Sequence, residues 1–196
     1  MRLFFDTEFT GLFKDTSLIS IGIVSERGDK FYAEFTDYDK SQVTPWIKEN
    51  VINNLFIIND PKKSMYTESI IDGDKKSIYM GGDRISVFEK LVEWLEYLKP
   101  YMVSDTFQFV SDVAHYDFVL LIDLFGNAFE LSKYNISPVC IDINHMIAKL
   151  LKIGEAKAFD VCREDLLDSH ISGSKHNSLY DAEVIKEIFD KVYTVI

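Results

Sequence analysis

The sequence predicts an α/β domain in which one mixed sheet is flanked by helices. Three observations carry that expectation. The chain opens on an apolar strand pattern, RLFFDTEF (2–9), and two more strand patterns follow within the next 26 residues. Beyond residue 84 helical stripes alternate with short apolar runs, as in α/β crossovers. The chain then closes on one more amphipathic helix pattern.

The elements follow in order. SLISIGIVSERGDKFYAEF (17–35) reads as two strands around a turn at Glu26–Asp29, with Gly28 at the bend, so the first three strands are expected to form an antiparallel meander. TPWIKENVINNL (44–55) predicts a helix with Thr44 as its cap and Pro45 in its first turn. Residues 59–84 turn polar, with Lys62, Lys63, Lys75 and Lys76 in pairs. They read mostly as loop, either a solvated insertion or a basic flap near a substrate. Within it, Asp72 and Asp74 look like turn formers.

ISVFEKLVEWLEYLKP (85–100) predicts a helix with Ile85, Phe88, Leu91, Val92, Leu95 and Leu98 on one face, a Ser86–Glu89 capping box, and Pro100 past its end. TFQFVSD (106–112) alternates like a strand, and AHYDFVLLIDLFG (114–126) reads as a helix stopped by Gly126. PVCIDI (138–143) is the fifth and last predicted strand, with a helix after it in NHMIAKLLKIG. NSLYDAEVIKEIFDKVY (177–193) closes the chain with Leu179, Ala182, Ile185 and Phe189 on one stripe. The expectation is a five-stranded sheet in a single domain, 1–196.

With 196 residues, 47% of them hydrophobic, the chain can bury a substantial core. No apolar run approaches a membrane span, and the start lacks the pattern of a leader. Cys140 and Cys162 make neither a disulfide framework nor a CxxC metal pair, so a cytoplasmic, reducing location is expected. A formal net charge of −11 argues against gripping long nucleic acid by phosphate neutralisation. It is compatible with handling a strand end where divalent cations cancel the site's own carboxylates.

Acid interrupts core patterns in three places. Asp6 and Glu8 lie two apart on the first strand, hence on one face and roughly 6–7 Å apart at the Cα atoms. Such a pair resists desolvation unless a cation lies between its members. Asp112 or Asp117 interrupts an apolar helix entry, and His176 precedes Asp181 by five at the start of the last helix. Residues five apart do not stack on a helix, so His176 is expected in the preceding loop, reaching over the first turn, with carboxylates holding its pKa near neutrality. All-oxygen clusters suit Mg²⁺ or Mn²⁺, and a paired site suits in-line phosphoryl displacement. A neighbouring His can take the proton of an attacking water. Each motif alone is weak, and their joint order carries the reading.

FFDTEFTGL, then HYDFVLL, then HNSLYDA in that order resemble the three motifs of the DEDDh 3′–5′ exonucleases. The strand RLFFDTEF, the segment LISIGIVSERGDKFYAEF and the aromatic "YD" second motif are similar to the small bacterial and phage exoribonuclease branch related to the mycobacterial DEDDh exoribonuclease. The resemblance implies an RNase H-like fold, two metal ions (Mg²⁺ or Mn²⁺), release of nucleoside 5′-monophosphates from an RNA 3′ end, and a homodimer. Carried over by position, Asp6 touches both ions. Glu8 and Asp181 complete the first ion's shell, with Glu8 also orienting the water. Asp117 supports the second ion, and His176 is the general base. Phe9, Thr10, Gly11 and Leu12 match the segment that contacts the terminal nucleotide.

The chain departs from the pattern in two places. Val113 stands where many relatives have Asn, which keeps Asp112 as a rival to Asp117, and Phe9 replaces the usual Thr. His115 and His145 read as packing or surface residues, and core packing is the reading of Tyr116 and Tyr180. The alternatives are a DNA exonuclease with the same chemistry, since nothing local reads the 2′-hydroxyl, and a non-catalytic nucleic-acid-binding module on the same fold.

Overall fold

The computed structural model describes residues 1–60 and 67–193. β1 (Arg2–Phe9), β2 (Leu18–Ser25) and β3 (Lys30–Phe35) form the expected antiparallel meander. β2 is buried at every position, so LISIGIVS is apolar without a clean alternation.

The sheet has seven strands rather than the predicted five, in the order β4-β5-β3-β2-β1-β6-β7. The two extra strands, β4 (Thr67–Asp72) and β5 (Lys75–Gly82), lie inside the segment read as loop. They form an antiparallel hairpin turned at Gly73 (φ 63°), and β5 pairs parallel with β3. β4 is exposed throughout and β5 buries one face through Ile78 and Met80, so neither carried the apolar pattern that betrays a strand. This hairpin lies at the edge of the sheet opposite β6 and β7, with Lys75 and Lys76 on β5. Lys62 and Lys63 lie outside the described residues. β6 (Gln108–Ser111) pairs parallel with β1, and the short β7 (Ile141–Asp142) follows at the other edge.

Six α-helices flank the sheet among the described residues: α1 (Pro45–Asn50), α2 (Arg84–Leu98), α3 (Ala114–Leu124), α4 (Asn144–Leu151), α5 (Glu155–Phe159) and α6 (Ser178–Tyr193). Thr44 caps α1 as expected, and Gly126 (φ 93°) follows α3. For α2 the cap is Asp83 instead of Ser86, and the buried face runs through Val87, Leu91, Trp94 and Leu95 while Ile85 is exposed. The short α5 was not anticipated. No helix of the described residues is long and apolar enough to cross a membrane.

One face of the sheet packs Leu3, Phe5 and Phe109 against α2 and α3. The other packs Phe4 and Val110 against Val184, Ile185, Ile188 and Phe189 of α6. Each such side chain contributes about 1.5–3 kcal/mol by leaving water. Alternation along β1 puts Asp6 and Glu8 on the α6 face with Phe4, and Thr7 on the α3 face with Phe5.

Helix α6 starts unusually close to the sheet. A Cβ on Gly22 would lie 2.3 Å from backbone atoms of Ser178 and Leu179. Only a glycine admits that approach. A hydrogen bond between the buried hydroxyls of Ser20 and Ser178 (2.9 Å) fixes the same junction.

Candidate active site

Three elements deliver the acids to one cleft of about 740 Å³. Strand β1 supplies Asp6 and Glu8, the start of α3 supplies Asp117, and the first turn of α6 supplies Asp181. The carboxylates form two triads. In one, oxygens of Asp6, Glu8 and Asp181 all lie within 4.8 Å of one another, and in the other those of Asp6, Asp112 and Asp117 do. Asp6 belongs to both.

The rivals Asp112 and Asp117 are therefore both present, but differently held. Asp117 is buried and accepts from Thr7 Oγ1 (2.6 Å) and from Ser111 Oγ. Asp112 accepts from Arg163 Nε at 2.9 Å. The same guanidinium also donates to Asn144 Oδ1 and to the carbonyls of Ala158 and Val161. Thr7, Ser111 and Arg163 are site residues that the sequence did not single out, because hydroxyl and guanidinium partners carry no spacing signature.

Burial, then the neighbouring charges of Asp117, Asp181, Glu8 and Asp112, pushes the Asp6 carboxyl well above the usual range. Glu8 is raised by burial and by Asp181 and Asp117. Burial takes Asp117 up to about 7, against the lowering effect of its two hydroxyl partners. Burial and Asp112 take Asp181 to about 8, opposed by a backbone hydrogen bond from His176. Four crowded acids of this kind, with oxygen donors only, are the donor set that hard divalent cations accept.

His176 lies in the loop before α6, as expected, with its Nδ1 4.0 Å from Glu8 Oε1. Its backbone is left-handed (φ 62°), a conformation costing about 1–3 kcal/mol off glycine unless its surroundings hold it. Three contacts do so. Asn177 caps α6 through Oδ1, accepting from the N–H groups of Leu179 and Tyr180. Asn54 Nδ2 donates to the Lys175 carbonyl. The half-exposed Trp46 ring meets the imidazole edge-on at 5.1 Å. Burial, helped by Lys175 and opposed by Glu164, lowers the His176 pKa, so the imidazole is neutral at neutral pH.

Phe9, Thr10, Gly11 and Leu12 all line the cleft. Leu12 is 71% exposed and Phe9 is half-buried. Thr10 is buried, its hydroxyl spent on Gln42 Oε1 and on the Ser17 N–H, which braces the loop. Phe13 and Trp46 extend the same wall.

The fold is that of the DEDDh exonucleases, an RNase H-like arrangement. The crystal structure of the nuclease domain of 3′hExo, a DEDDh family member bound to rAMP, matches with a TM-score of 0.61. That match covers 99% of this chain and 90% of the other at 12% identity. A 3′-exonuclease solved in 3′-end specific recognition of a histone mRNA stem-loop matches at 0.57, covering 99% and 63% of the two chains at 11% identity. In sequence, residues 1–193 match the family described as "3′-5′ exoribonuclease Rv2179c-like domain", and the chain belongs to that family. The 3′-5′ exoribonucleases Rv2179c and MT2234.1 of Mycobacterium tuberculosis are each 40% identical over 55 residues, which is 28% of this chain and 33% of each relative.

Proposed function

We propose that this chain is a 3′–5′ exoribonuclease that hydrolyses phosphodiester bonds from an RNA 3′ end and releases nucleoside 5′-monophosphates. The observation that carries the reading is Asp6, shared between two carboxylate triads, with His176 beside the Glu8 member of one of them. Membership of the Rv2179c-like family supports the choice of RNA.

The acid set fits two divalent cations, Mg²⁺ or Mn²⁺, held by Asp6 with Glu8 and Asp181 on one side and by Asp6 with Asp117 on the other. When bound, such ions supply the positive charge that offsets the carboxylates, the phosphate and the departing oxygen. Glu8 orients the attacking water, and the neutral His176 imidazole takes its proton. The water oxygen bonds to phosphorus, the bond to the 3′-oxygen of the preceding nucleotide breaks, and that oxygen is protonated from solvent. Asp112, already paired with Arg163, serves to anchor that arginine and the α4–α5 segment to the site. Leu12 and Phe9 pack on the terminal base. The resemblance also implies a homodimer, and sedimentation of the purified chain tests the assembly.

Product analysis on matched 5′-labelled RNA and DNA oligonucleotides with Mg²⁺ or Mn²⁺ tests the function. The expected outcome is a ladder shortening from the RNA 3′ end, absent with Asp6→Ala. Faster loss of DNA would keep the mechanism and overturn the substrate. No metal-dependent loss of either strand would leave a binding module as the reading.

A further inference from the structure

Four aromatic rings make a continuous row beside the carboxylates. Phe9, next to Glu8, stacks on Tyr116 at 5.6 Å with 15° between the planes. Tyr116 meets His115 at 5.2 Å, and His115 meets Phe159 of α5 at 6.4 Å. Phe9 and Tyr116 are half-buried, while His115 is exposed and Phe159 is 49% exposed. Phe9 and Phe159, the two ends of the row, both line the cleft.

The direction of the row follows from the chemistry. In-line displacement puts the attacking and departing oxygens on opposite sides of phosphorus. His176 and Glu8 mark the water's side. The departing 3′-oxygen, and the strand attached to it, therefore leave on the side of Asp112, Asp117 and the start of α3, where His115 and Phe159 stand. A net charge of −11 argues against holding that strand chiefly through its phosphates. Stacking on aromatic faces needs no charge and tolerates any base.

We propose that His115 and Phe159 form the exit track for the retained RNA strand, stacking the bases upstream of the scissile bond. The proposal rests on the exoribonuclease reading above and adds a site to it. The track acts only on substrates long enough to reach it. It gives the enzyme a preference for single strands over paired ends, because the faces of bases within a duplex are already covered by their stacked neighbours.

The test compares an RNA hexamer with an aryl ester of uridine 5′-monophosphate, which has no upstream base. For His115→Ala/Phe159→Ala, KM for the hexamer is expected to rise at least about fivefold relative to KM for the ester, with Phe159→Trp restoring most of the loss. An unchanged ratio, or an equal rise for both substrates, would overturn the track. Polarisation of a 5′-fluorescein hexamer, with Ca²⁺ in place of Mg²⁺, reads the same site without catalysis. Weaker binding by the double variant is expected, and equal binding overturns the track. Failure of wild-type protein to hydrolyse the ester and the hexamer alike would instead strike the function reading.

Discussion

Gly22 lies directly opposite Asp6 in the β1–β2 ladder, and the missing side chain of the one lets the start of α6 settle over the other. Asp181, His176 and their loop are carried on that helix start. Closeness of Asp181 to Asp6 and Glu8 thus depends on a residue with no functional group.

Gly22→Ala should therefore damage stability and activity together. A Cβ 2.3 Å from backbone has no flexible neighbour to push aside, so α6 must lift. The expected cost is at least about 1–3 kcal/mol, as for overpacked cores. Urea unfolding measures it, with a loss of hydrolysis beyond what the unfolded fraction explains.

The carboxylates make metal-free stability pH-dependent. Folded Asp117 and Asp181 titrate at about 7 and about 8, above the ~3.9 of an unfolded Asp. A raised acid favours folding when protonated, so its contribution is complete below the unfolded value and is lost progressively as pH climbs from about 4 through 7 to 8. The melting temperature in EDTA should fall across that window, and Asp181→Asn should flatten the fall while abolishing activity. Added Mg²⁺ should stabilise the wild-type protein more at about pH 8 than at about pH 5.5, since deprotonated ligands bind metal. Thermal scans at these pH values decide it.

Lys175 helps to keep the His176 imidazole neutral. Lys175→Gln should raise the His176 pKa and move the acid limb of the kcat–pH profile towards higher pH, with the plateau rate little changed. A limb that stays in place would remove Lys175 from the account of the base.

The Asn177 cap is itself held from below. Its Nδ2 donates to Tyr32 Oη at 3.2 Å, and that hydroxyl donates to the buried Glu34 at 2.8 Å. Glu34 also accepts from the backbone N–H groups of Phe56, Ile57 and Ile58. Tyr32→Phe should cost about 1 kcal/mol of stability and lower kcat more than it raises KM, because the loop it steadies carries His176, the proposed base. Steady-state kinetics on an RNA oligonucleotide would show the split.

Much of this was legible in the sequence, for physical reasons. The D-x-E pair stood out because charges on an apolar strand demand an explanation, and α6 stood out because its stripe repeats over 16 residues. The β4–β5 hairpin did not, since an exposed strand has no buried face to pattern its residues. The five-residue α5 was too short to show a helical period, and with it went Phe159. Gly22 carried a usable signal, a glycine inside an otherwise apolar strand, which points to close backbone approach. The different settings of Asp112 and Asp117 depend on Arg163, 51 residues away from Asp112 in the chain, a contact that no local pattern encodes.

The proposed function requires Asp6 to serve two cation sites. Isothermal titration of the metal-free protein with Mn²⁺ at about pH 7.5, in wild type, Asp117→Asn and Asp6→Asn, tests it most directly. Two ions are expected for wild type, one for Asp117→Asn, and strong weakening of both in Asp6→Asn. A single tight ion in wild type, or two ions that Asp6→Asn leaves undisturbed, would contradict it.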